Sequence, residues 1–224
     1  MKEWEPNLDK SFLPSSIYMK TVNATLNQEE YSIKTNSDGF MTGMRNNKTK
    51  TCILLGDSFV ENLYVKEESR IINNINNKYN YISGGYSGSN TLHILNVLLN
   101  KILLDDSIAK IIYVLPYSDS YAHLYENNFY NNTKMYTNII PENAKHKDNI
   151  HKNSIETQML LWKTMVEMIK AANKELVCIE TPFNTEFHFN YKDAFKTKSM
   201  VQKQNQSFQS FCKNNALRCY SFND

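Results

Sequence analysis

Glycine and proline are scarce in this 224-residue chain, with 6 and 5 copies. That is too few for a β-sandwich or barrel, which needs many tight turns. Cysteine is limited to Cys52, Cys178, Cys212 and Cys219, with no C-x-x-C pair. This excludes a zinc ribbon and a disulfide framework, and no metal or cofactor is expected. Cys52 and Cys178 sit in apolar runs and read as small buried thiols. No apolar run approaches the ~18 residues of a membrane span. Residues 1–14 have no apolar leader core, so the expectation is a cytoplasmic chain without a signal peptide. Excess charge is also missing: 25 Lys+Arg against 23 Asp+Glu leave a formal +2, which gives no footprint for nucleic acid. Hydrophobic residues make up 41% and charged residues 21%, enough to bury a core and to exclude disorder. Asn is abundant, about 30 copies against ordinary usage, and is spread along the whole chain.

Short apolar runs alternate with helical patterns. Residues 1–30 are polar with scattered aromatics and read as an irregular lead-in. Tyr31 to Ile33 is a short strand before the turn Asn36-Ser37-Asp38-Gly39. TCILL (51–55), Tyr79 to Ser83, AKIIYVL (109–115), ELVCIE (175–180) and Ala216 to Phe222 read as five strands. Between them, 67–77, a segment capped by Ser89 or Asn90, a segment opening at Asn153 and carrying its stripe to Ile169, and 193–214 read as helices. The third of these opens on the capping-box pattern Asn153-x-x-Glu156 and carries Ile155, Met159, Trp162, Met165, Val166 and Ile169 on one stripe. Residues 117–152 are an excursion rich in Asn, Tyr and Lys. Strands alternating with amphipathic helices predict a mainly parallel sheet covered on both sides. In such sheets chemistry sits beyond the carboxyl ends of the strands.

Four strand exits are therefore the places to search. The first reads Gly56-Asp57-Ser58, and puts a hydroxyl where a buried strand turns into a helix. Such a serine can be a nucleophile, and its own N–H can face the oxyanion it creates. The plain alternative is a glycine turn capped by Asp57 or Ser58, with no reaction. The second exit, Gly84-Gly85-Tyr86-Ser87-Gly88, can turn a backbone N–H toward the same crevice. It fits neither G-x-x-x-x-G-K-[ST] nor G-x-G-x-x-G, which weakens a phosphate cradle. G-x-S-x-G fails as well, since Val60 stands where its last glycine belongs.

TNSDGF (35–40), ILLGDSFVENLYV (53–65), YISGGYSGSN (81–90) and IIYVLPYSDS (111–120) together resemble the bacterial SGNH/GDSL hydrolases. These are esterases and acyl-transfer enzymes with a flavodoxin-like three-layer α/β/α sandwich. The resemblance implies a five-stranded, mainly parallel sheet in 51–224, with 1–50 as a lead-in packed on it. It implies Ser58 as nucleophile, Asp57 as the brace of its loop, and the N–H groups of Ser58 and Gly85 as oxyanion donors. Ser118 stands where the family has an asparagine donor. The family's Asp-x-x-His, which carries the general base, has no match in the chain. His123 and His188, each following a strand exit, are the candidates in its place. His93 reads as an ordinary helix residue, and His146 and His151 as solvated loop residues. The implied activity is hydrolysis of O-acyl or O-acetyl esters of a small molecule or carbohydrate. The aromatics dense between Tyr117 and Tyr136 would suit sugar rings. The other class of reading is a catalytically impaired domain of this fold that binds a glycan or protein partner.

Overall fold

The computed structural model describes residues 4–14, 29–44, 47–76, 78–116, 147–181 and 194–221, with the backbone alone for 147–157 and 194–200. β1 (Asp9–Phe12) and β2 (Tyr31–Lys34) form an antiparallel pair. The main sheet contains β3 (Met41–Thr42), β4 (Thr51–Leu55), β5 (Asn80–Ser83), β6 (Ile108–Val114), β7 (Glu175–Ile179) and β8 (Arg218–Tyr220). Its order is β3-β5-β4-β6-β7-β8. The last five strands are mutually parallel, and β3 runs antiparallel on the edge beside β5. Numbered among themselves, the parallel strands run 2-1-3-4-5, the flavodoxin-like winding, whose direction of growth reverses at β4 and β6.

Alternation along β4 sets the layers. Ile53 and Leu55 face one cluster with Ile94, Leu98, Trp162 and Phe208. Cys52 and Leu54 face the other with Val60, Ile72 and Val114. A strand that is apolar on both faces belongs in a sheet covered on both sides. The first layer holds α3 (Thr91–Val97, continued by a wider turn through Leu98–Ile102), α4 (Lys147–Ala171) and α5 (Ala194–Asn214). The second holds α1 (Ser58–Glu61) and α2 (Ile71–Asn74). Among the described residues no helix is long and apolar enough to cross a membrane. The four cysteines are free thiols, and Cys52, Cys178 and Cys212 are buried.

Several expectations need correction. The lead-in is not wholly irregular: Lys10 pairs with Ile33, and Phe12 packs on Tyr31 and Tyr64 with ring centroids 6.1 and 6.0 Å apart. The sheet gains a sixth strand in β3. The helix predicted over 67–77 is two short turns separated by Arg70 in extended conformation. Arg70 is buried and donates to the carbonyls of Val65 and Ser32. Asn73 and Asn74 side chains take the Glu67 and Glu68 carbonyls, in competition with a longer helix. α4 begins six residues before Asn153, so the capping-box pattern lies inside the helix. Met159 is 42% exposed and Gln158 takes the buried position beside it.

Candidate active site

β4 ends at Leu55, and the next residue has no room for a side chain. A Cβ on Gly56 would lie 2.5 Å from Val60 Cγ2 and 3.2 Å from the Val114 carbonyl oxygen. The chain turns there into α1. Asp57 is buried and caps the helix: its Oδ1 accepts from Phe59 N–H at 3.1 Å, and its carbonyl accepts from Val60 and Glu61 N–H. Ser58 opens the helix and is exposed. Its N–H belongs to the first turn, which has no intrahelical acceptor, and meets no partner among the described residues. Asn62 ends the helix at φ 50, and its N–H bonds the Ser58 carbonyl at 3.1 Å. Asn tolerates this left-handed conformation better than most residues.

The loop leaving β5 lies directly on this helix. A Cβ on Gly85 would meet the Glu61 backbone nitrogen at 2.5 Å and Val60 Cβ at 2.7 Å. Gly84 N–H bonds the Leu54 carbonyl at 2.8 Å, and Tyr86 N–H reaches the Gly56 carbonyl at 3.4 Å. Ser83 Oγ donates to the Val60 carbonyl at 3.0 Å and accepts from Gly85 N–H at a long 3.3 Å. Asp57, Ser58 and Gly85 thus stand together beyond β4 and β5, next to the point where the sheet reverses its direction of growth. Ser118, His123 and His188 lie outside the described residues, as does His146.

One residue of this region escaped the sequence reading. Glu61 is buried, and its Oε2 accepts from Ser87 N–H at 3.1 Å and from the Ser87 hydroxyl. Burial pushes its carboxyl above the usual range, and the Asp57 charge adds to that. The Ser87 bonds, with the Trp4 indole nearby, pull the other way. Nothing in residue type flags Glu61, because a Glu in a short helix normally reads as solvated. Beside Gly85 a pocket opens, lined in part by Trp4, Phe40, Gly84, Tyr86 and His93. Trp4 and Tyr86 rings stand 5.5 Å apart there. His93, expected to be an ordinary helix residue, is half-buried at this pocket, and its N–H is capped by Asn90 Oδ1 at 2.9 Å.

The exits of β6, β7 and β8 carry a different arrangement. Gln204 donates to the Pro116 carbonyl at 3.0 Å, and Asn205 exchanges two bonds with the Thr181 backbone. The buried Glu180 accepts from Gln209 at 2.5 Å and from the Ser221 hydroxyl.

No family model matches this sequence, and no curated protein does. Solved structures do match. A GDSL-like lipase from Bacteroides thetaiotaomicron is 16% identical, with 80% of this chain and 71% of that one covered and a TM-score of 0.50. A protein of the lipolytic G-D-S-L family from Desulfitobacterium hafniense is 12% identical, with 78% of each chain covered and a TM-score of 0.52. At such identities the likeness is one of fold: the chain has the fold of the SGNH/GDSL hydrolases.

Proposed function

We propose that this chain is a serine ester hydrolase with Ser58 as its nucleophile, acting on O-acyl, and in particular O-acetyl, esters of a carbohydrate. The observation that carries the reading is the setting of Ser58. Ser58 is exposed at a strand exit next to the sheet's reversal point, on a helix pinned by the buried Asp57 and covered by the Gly85 loop. Placement of this kind is where open parallel sheets hold their ligands. The fold shared with lipolytic proteins supports the reaction class, and the aromatic pair Trp4–Tyr86 beside Gly85 supports a sugar-bearing substrate.

In this reading Ser58 Oγ forms a bond to the acyl carbonyl carbon and the carbonyl electron pair moves onto oxygen. The N–H groups of Ser58 and Gly85 hold that oxyanion, with the Ser118 hydroxyl as third donor. Gly85 N–H gives up its long bond to Ser83 Oγ in exchange. A histidine, His123 or His188, takes the Ser58 proton and returns it to the departing alcohol. Water then releases the acyl group from Ser58.

The test compares the wild type with Ser58→Ala on p-nitrophenyl acetate and on an O-acetylated sugar. The expected loss is about 10⁴-fold or more, by analogy with removal of other serine nucleophiles. A fluorophosphonate is expected to label Ser58. Equal rates and no labelling would leave the chain as a binding domain of this fold.

A further inference from the structure

Glu61 has a partner set that packing alone does not require. It closes the short helix that Ser58 opens, it is 2% exposed, and its Oε2 accepts both the N–H and the hydroxyl of Ser87. Ser87 stands two residues after Gly85. The same helix touches this loop at two further points: Val60 and Glu61 backbone against Gly85, and the Val60 carbonyl bonded to Ser83 Oγ. A buried carboxylate is costly unless its oxygens are hydrogen-bonded. An apolar side chain of similar volume would fill the space without that cost, but would leave Ser87 N–H unpaired.

We propose that Glu61 is a positioning residue that clamps loop 84–88 to the Ser58 helix, so that Ser58 and Gly85 N–H groups keep a fixed separation. This rests on the hydrolase reading above and extends it to a side chain that does not touch substrate. The clamp needs an acceptor at Oε2 and no charge. Glu61→Gln therefore keeps it, and Glu61→Ala removes it. Misplacement of catalytic groups by about 1 Å costs about 10²-fold, so Glu61→Ala should lower kcat by about that factor. KM should stay within about threefold, because the effect falls on the reacting centre. Glu61→Gln should remain within about fivefold of wild type. Ser87→Ala keeps its N–H bond and should lose less than Glu61→Ala. It should add nothing in the Glu61→Ala background, the non-additivity of two partners in one contact.

Equal losses in Glu61→Gln and Glu61→Ala would overturn the clamp in favour of an acid or base role. Wild-type kcat in Glu61→Ala, with Ser58→Ala inactive, would overturn it and leave the hydrolase reading standing. If Ser58→Ala is as active as wild type, the hydrolase reading fails and the clamp is judged by amide hydrogen exchange at 84–88. Faster exchange in Glu61→Ala than in Glu61→Gln supports it, and equal exchange overturns it. Should Glu61→Ala fail to fold, Ser87→Ala against wild type carries the same measurements.

Discussion

Beyond β4 and β5 two backbones touch, whereas beyond β6 and β7 side-chain amides from α5 bond the strand exits. On the first side Gly56, Gly84 and Gly85 let the loops approach until a methyl group would collide. On the second side Gln204, Asn205 and Gln209 reach across and bond Pro116, Thr181 and Glu180. At Gly85 the contact is backbone to backbone and leaves no room for an added atom, while Gly56 and Gly84 press on the side chains of Val60 and Leu55. An amide bridge has rotatable bonds and can adjust. The tighter packing lies around Ser58 and Gly85, where the proposed chemistry needs two N–H groups at a fixed separation.

The strongest way to break this contrast is to add one methyl group at Gly85. In Gly85→Ala the new carbon would lie 2.5 Å from the Glu61 nitrogen and 2.8 Å from the Val60 carbonyl carbon. Backbone atoms of a hydrogen-bonded helical turn have little freedom to move away, so the expected destabilisation is about 3 kcal/mol, the upper part of the range for overpacking. Urea unfolding measures it. Gly84→Ala serves as the comparison, since its methyl meets the flexible end of Leu55 at 2.8 Å and should cost less. Equal midpoints for Gly85→Ala and wild type would mean that the loop is not held tightly against α1.

The same contrast explains which parts were legible in the sequence. Glycines and a short polar triplet after an apolar strand leave a local signal that singles out Gly56-Asp57-Ser58 and the loop 84–88, while the roles given to Asp57, Ser58 and Gly85 come from the family resemblance. The parallel winding was legible because β4 and β6 are apolar on both faces. The amide bridges were not legible. Gln204 is 3% exposed and shares the buried stripe of α5 with Val201 and Phe208, yet its residue type is one that is mostly solvated. Glu61 was missed for the same reason. Hydrophobic period marks buried apolar residues and says nothing of buried polar ones, which also produced the exchange of Met159 for Gln158. β3, with two residues, is too short for any period. The break at Arg70 depends in part on a carbonyl far along the chain, that of Ser32.

A smaller effect is expected at the amide side. Gln209→Ala removes one of two side-chain donors to the buried Glu180 carboxylate, the bond at 2.5 Å. The Ser221 hydroxyl remains and Gln209 is exposed, so the cost is the low end of one lost bond to a charged group, about 1.5 kcal/mol. Ser210→Ala, one residue along the helix and exposed, is the control and should stay within about 0.5 kcal/mol of wild type. Chemical denaturation of both variants measures the difference. If they match, the bridges are ornaments of the helix surface and the two sides of the sheet differ less than the geometry indicates.

The finest test concerns Glu61 alone and reads a slope. Burial raises its carboxyl above the ordinary 4.5, against the pull of Ser87. An acid whose pKa is raised on folding favours the folded state while protonated. Its contribution is fully present below 4.5 and is lost as pH rises through the raised value. Glutamine keeps the neutral form at every pH. The melting temperature of Glu61→Gln minus that of wild type should therefore grow between pH 4 and pH 8. Thermal melts across that range measure it. A difference that shrinks with rising pH would mean that the two Ser87 bonds outweigh burial. The carboxylate would then hold the loop by its charge, and the clamp would be electrostatic where the glycine contacts beside it are purely steric.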